Sequence, residues 1–172
     1  MKNAVIDSIL MRRTIRKFKA GGPISDEAMD GLVQAGMASP TGFDARPWHF
    51  VTIQDADLMQ RLAAAMPGCD SCALTASAVL ICGDSTGEKL PGIWVQDCSA
   101  CAQNIQLAAH AQGLGAVWLA MYLVEERVQA CRKLLGVPEP IIPFALIAVG
   151  VPDETGNLME RYIPERVHRN GW

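Results

Sequence analysis

Arg12, Arg13, Arg16 and Lys17 place four cationic side chains within the stretch Arg12–Phe18, with the hydroxyl of Thr14 among them. Guanidinium forks and a hydroxyl at this spacing can hold a phosphate, because arginine's planar donors meet its oxygens two at a time. The same cations could equally form a solvated basic helix end, favoured there by the helix dipole. Six of the 15 Lys and Arg residues, but one of the 18 Asp and Glu residues, fall in the first twenty positions of a chain with net charge −3. No P-loop or dinucleotide fingerprint accompanies them. Gly113-Leu114-Gly115 follows a helical pattern rather than a strand, and Trp118 stands where a third glycine would be needed.

The cysteines are the second group with potential chemistry. Cys69-x-x-Cys72 and Cys98-x-x-Cys101 have the spacing of a four-thiolate zinc site. The second pair falls inside an apolar helical run, where small buried thiols serve as core filler, so no metal is expected. Cys69 and Cys72 precede a strand and are either ordinary loop thiols or a redox pair. His49 and His110 read as structural.

The elements that must position these groups follow from periodicity and turn signals. The segment 3–13 has helical spacing that runs out at the basic cluster. A helix over 24–39 has Ser25 as N-cap, with Asp26 and Glu27 in its first turn. A Pro/Gly loop over 39–47 leads to a strand at 48–54, a helix at 55–66 ended by Pro67-Gly68, and a strand at 77–83. A long helix over 92–112 ends at Gly113, which suits the glycine position after a helix. Strands at 116–120 and 143–152 flank a surface helix at 124–136, and the tail from 153 reads as extended. Alternating helices and buried strands predict an α/β or α+β domain, one unit over 1–172. The long helix is apolar or small around most of its circumference (Trp94, Cys98, Ala102, Ile105, Leu107, Ala108, Ala111), so it must be central or covered by another subunit.

Composition narrows the function classes. At 50% apolar content, 172 residues can bury a core. Apolar runs break well before the length of a membrane span, and the N-terminus lacks a signal-like apolar core, which predicts a cytoplasmic protein. Nucleic-acid binding is disfavoured by the negative net charge and by a short basic stretch without interleaved aromatics.

The segments, in order, resemble the nitroreductase family. "RRTIRKF" is similar to the family's R-R-S-x-R-x-F opening, and "ASPTGFDARPWHFV" to its A-P-S-x-x-N-x-Q-P-W-x-F loop and strand. "DCSACAQNIQLAAHAQGLGAVW" resembles its D-x-x-x-A-x-Q-N-x-x-L-A-A helix and glycine turn, while "PFALIAVGVPDE" and "ERYIPERV" resemble its last core strand and tail. The resemblance implies an α+β sandwich with a central, mostly antiparallel sheet flanked by helices. It also implies an intertwined homodimer carrying FMN at the subunit interface. Arg12, Thr14 and Arg16, with Arg13 secondary and Arg161 from the tail, would hold the phosphate. The loop Pro40, Thr41, Gly42 and Asp44 would contact the ring from the other subunit, and backbone at Leu119, Ala120 and Met121 would approach the flavin N5 edge. Chemistry on the flavin needs no catalytic side chain.

The implied activity is transfer from NAD(P)H through FMN to nitroaromatic, quinone or related acceptors in ping-pong fashion. The alternatives are a dehalogenating or flavin-consuming member, or a non-enzymatic flavin-binding module. Three departures stand out. Asp44 replaces the usual Asn, Arg46 replaces the usual Gln, and no long lid insertion follows the glycine turn.

Overall fold

The computed structural model of the chain describes residues 3–156 and 160–172. Among them, five α-helices and four strands follow in the order α1 (Ala4–Met11), α2 (Asp26–Met37), β1 (Trp48–Ile53), α3 (Ala56–Ala65), β2 (Ser77–Gly83), α4 (Ile93–Ala111), β3 (Gly115–Ala120), α5 (Glu125–Leu135) and β4 (Ile142–Gly150). The side chains of Asn3, Ser25 and Asp55 accept from the first free amides of α1, α2 and α3, which fixes where those helices begin.

The strands pair in the order β1-β2-β4-β3, every pair antiparallel. This resolves the open choice of class to α+β. Val51, Leu80, Leu146 and Leu119 fall in register across the four strands. β2 is buried at every position and β4 nearly so, hence their unbroken apolar sequences. One face of the sheet packs against α3 and α5 through Met59, Leu62, Met66 and Cys131; the other packs against α2 and α4 through Met29, Leu32, Cys98, Ala102 and Ile105.

Two expectations are refined. The helical pattern of 3–13 runs out at the basic cluster, and α1 stops at Met11, with Arg12 in extended backbone (φ −57°, ψ 131°). The cause is tertiary: Ile15 N–H donates to Ala116 O (3.0 Å), and Ile15 and Phe18 are drawn into the core. α4 buries one stripe, whereas Leu107, Ala108 and Ala111 are left outside it. Within the expected extended tail, residues 160–172 are exposed throughout, with one 3-10 turn at Pro164–Arg166. Its stretch at 157–159 lies outside the described residues.

Candidate functional site

The arginine segment is stitched to the edge of β3. Thr14 bridges Ala116 in parallel, Phe18 bridges Pro152, and Lys19 N–H donates to Val151 O (2.9 Å). Glu154 accepts from the backbone amides of Arg16 and Lys17, and these bonds hold its carboxyl below the usual range. The segment is therefore fixed by backbone contacts, which leaves its side chains for other work.

The cations then divide. Arg13 Nη1 turns back and donates to the carbonyls of Leu10 and Arg12 (2.7 Å each), so it closes the C-terminal end of α1. Gly156 makes room for this turn, since a Cβ there would lie 2.2 Å from Arg13 Cβ. Arg12 instead points into the fold and is half-buried. Its Nη1 donates to Oε1 of the buried Gln106 on α4 (3.3 Å), and its buried Nε finds no partner among the described residues. Burial, and then the like charges of Arg161 and Arg13, lower the Arg12 pKa. A half-buried guanidinium with an unused donor, between two further cations, is an arrangement an anion would neutralise. Arg161 lies near enough for its charge to act on Arg12, and Arg16, Lys17 and Arg161 are all exposed.

The loop before β1 has an unusual backbone. Phe43, Asp44 and Arg46 all adopt the left-handed region (φ 57°, 54° and 48°), which non-glycine residues occupy at a cost. Asp44 and Arg46 form a bidentate pair, Nε to Oδ1 at 2.7 Å and Nη2 to Oδ2 at 2.8 Å, with both side chains exposed. Arg46 thus compensates Asp44 directly, and its hydrogen bond pulls the Asp44 carboxyl down. Lys89 stands 5.4 Å from the Phe43 ring centre. Gly42 N–H leaves the loop to donate to Oδ1 of the buried Asp97 on α4 (2.9 Å).

Gly42 of this loop and Arg12 each hydrogen-bond to α4, at different points. Asp97 and Gln106 mark their positions on α4, nine residues or about 13 Å apart along the helix axis.

At the far end of β3, Leu119 and Met121 are buried and Ala120 is exposed. Phe144 O accepts from both Met121 N–H (3.0 Å) and Tyr122 N–H (3.1 Å). Arg127 spans the turn: Nη1 donates to Ala120 O (2.8 Å), while Nε and Nη2 donate to Pro67 O (3.0 and 2.6 Å). Arg127 and Gln106 went unnoticed in the sequence. Gln106 and Asp97 had a legible signal, as polar residues interrupting the buried stripe of α4; Arg127 had none.

The thiols stand apart from these groups. Cys69 and Cys72 are fully buried around a 3-10 turn on the α3/α5 side of the sheet, while Cys98 and Cys101 lie on the α2/α4 side. Among the described residues, no group of three or more His, Cys, Asp or Glu converges as metal ligands. Burial raises the Cys69 thiol and pushes Cys72 up to about 12. A pair kept protonated and sealed from solvent does not suit the redox alternative. All six cysteines are buried, so thiol reagents at pH 8 are expected to label the native protein slowly and the denatured chain fully. Fast native labelling of Cys69 or Cys72 would contradict this burial.

The sequence pattern of the Nitroreductase family matches residues 9–69 and 67–151. A protein of Methanothermobacter thermautotrophicus, provisionally named an NADH dehydrogenase/NAD(P)H nitroreductase, is 39% identical over 99% of this chain and 89% of its own length. A solved structure of the same provisional name from Bacteroides thetaiotaomicron is 37% identical, with a TM-score of 0.93 over 100% of both chains. A Desulfovibrio desulfuricans structure, provisionally named a nitroreductase and solved in complex with FMN, is 29% identical with a TM-score of 0.84, covering 100% of this chain and 99% of its own.

Proposed function

The chain belongs to the nitroreductase family, and from that premise we propose that it is an FMN-dependent oxidoreductase. It passes electrons from a reduced nicotinamide to nitroaromatic, quinone or related small acceptors, donor and acceptor using one site in turn. The observation that carries this reading is Arg12: a half-buried guanidinium with an unused Nε, crowded by Arg161 and Arg13. Arg12, Thr14, Arg16 and Arg161 hold the phosphate of FMN, with Arg13 secondary because α1's carbonyls already engage it. The backbone of Leu119, Ala120 and Met121 lies along the reactive edge of the ring, and Arg127's grip on Ala120 O orients that peptide. FMN, when bound, supplies the two-electron chemistry, and the chain's own groups bind and orient it.

The site is completed by a second copy of the chain. The loop Pro40, Thr41, Gly42 and Asp44 packs on the ring held by the opposite protomer, as the family resemblance implies. The surface supports this arrangement. α1 buries none of its side chains and exposes Val5, Ile6, Ile9, Leu10 and Met11; the tail exposes Tyr162, Ile163, Val167 and Trp172. Val5, Ala35, Leu107, Ala108 and Ala111 line a mostly apolar groove between α1, α2 and α4. Patches of this extent mark association surfaces.

The test is anaerobic reduction of the FMN-loaded protein by NADH and by NADPH, followed by reoxidation with a quinone or nitroaromatic. Bleaching by a donor and recovery by an acceptor are expected. Bound FMN that neither nicotinamide reduces would instead indicate a flavin-binding module.

The loop's ion pair adds a prediction. Asp44→Asn leaves Arg46 uncompensated beside the ring, favours the more negative reduced flavin and raises the midpoint potential. Arg46→Gln leaves Asp44 alone and lowers it. Spectroelectrochemical titration should give opposite shifts, cancelling in the double variant; two unchanged potentials would show that the pair does not sense the ring.

A further inference from the structure

We propose that Asp97 is the positioning residue of the Thr41–Arg46 loop, and so acts on the flavin through that loop without touching it. The part about the flavin rests on the functional reading above; the anchoring itself rests on geometry alone.

Asp97 is 5% exposed, near the start of α4. Its Oδ1 accepts from Gly42 N–H, and its buried Oδ2 has no partner among the described residues. A buried carboxyl group with one oxygen unsatisfied costs stability, so packing does not account for an acid at this position. What it accomplishes is local. The amides of Asp44, Ala45 and Arg46 donate to Thr41 O, Gly42 O and Thr41 Oγ1, all within the loop, whereas the amide of Gly42 reaches the body of the fold. Behind the loop lies a cavity of about 170 Å³, bordered by Arg46, His49, Asp84 and Asp97, so packing supports little of that side.

Gly42 also sits against Ile93, one helical turn before Asp97. A Cβ on Gly42 would lie 2.8 Å from Ile93 Cγ1 and 3.9 Å from Asp97 Oδ1. The first two turns of α4 therefore grip Gly42 by one hydrogen bond and one close contact. Immediately beyond that grip come Phe43, Asp44 and Arg46 in left-handed backbone, a conformation that surrounding structure must impose. The anchor thus sets the direction in which the Asp44–Arg46 pair is presented.

The experiment compares the full-length Asp97→Ala and Asp97→Asn variants with wild type. Asparagine keeps an acceptor for Gly42 N–H; alanine does not. Three readouts are taken: hydrogen exchange of the 41–46 amides, FMN affinity by fluorescence titration, and thermal melting. Asp97→Ala is expected to speed exchange of the Gly42 amide and to weaken FMN binding about tenfold, the scale of losing one hydrogen bond. Asp97→Asn should restore both, and Asp97→Ala should lose little in melting temperature, since the unsatisfied oxygen leaves with the acid. Unchanged exchange in Asp97→Ala overturns the anchor. Faster exchange with unaltered FMN affinity overturns its role toward the flavin. A wild-type protein that binds no FMN sinks the functional reading instead, while the exchange data still decide the anchor.

Discussion

Replacing Arg12 with alanine is expected to weaken FMN binding about 100-fold while leaving the fold intact. A hydrogen bond to a charged group contributes roughly 1.5–3 kcal/mol, and each 1.4 kcal/mol is about tenfold in affinity. Arg12 is half-buried, so solvent and salt screen its contact with a phosphate less than they screen those of exposed Arg16 and Arg161. Stability should move the other way, or not at all. Burial first, and then the like charges of Arg161 and Arg13, lower the Arg12 pKa, so the folded state gains little from this cation, and its hydrogen bond to Gln106 is a long 3.3 Å. Arg12→Lys should fall between, because it keeps the charge and loses the fork. Fluorescence titration with FMN, alongside thermal melts, separates these effects. A variant that binds FMN as tightly as wild type would remove Arg12 from the site.

Gly83→Ala is expected to cost about 1–3 kcal/mol of stability, the range for overpacking a filled core. Gly83 ends β2, paired with Trp48 on one side and Ile142 on the other. A Cβ there would lie 2.2 Å from Trp94 Cε3 and 2.6 Å from Cζ3. The indole has no easy retreat. Trp94 is 4% exposed and packs edge-on against Tyr122 (4.9 Å) and Phe144 (5.8 Å). For a chain of this size the melting temperature should fall by roughly 2–4 °C per kcal/mol. Because Trp94 lies in the first turn of α4, displacing it also disturbs Ile93 and Asp97, so loop anchoring should weaken with stability. Differential scanning calorimetry checks the first effect; an unchanged melting temperature would mean that Trp94 has room to move.

Much of the fold was legible because local chemistry and tertiary packing agree. Ser25 caps α2 as its type and position suggest, Gly113 takes φ +74° after α4, and the apolar runs at 77–83 and 142–150 are central strands. The arginine segment was legible in composition, and only the family resemblance ranked Arg13 below Arg12; the residues themselves gave no reason for it. Arg12 and Arg13 are neighbours of one type, and what separates them is Gln106, ninety-four positions away, and the carbonyls exposed where α1 stops. The loop's conformation was hidden for a related reason. Phe43 and Arg46 are not types that favour positive φ, and the contacts of Gly42 with α4 lie far along the chain from them. Arg127 looked like one more charge on a surface helix until its fork was seen joining Pro67 O to Ala120 O.

The central claim is that the basic N-terminal segment grips the phosphate of a flavin. Titrating the wild-type protein with FMN and, separately, with riboflavin tests it most directly, since the two ligands differ only by that phosphate. The account predicts one FMN per chain and riboflavin binding weaker by about 100-fold, with the FMN preference shrinking in Arg12→Ala. Equal affinities for the two flavins, or a preference that survives the loss of Arg12, would contradict it.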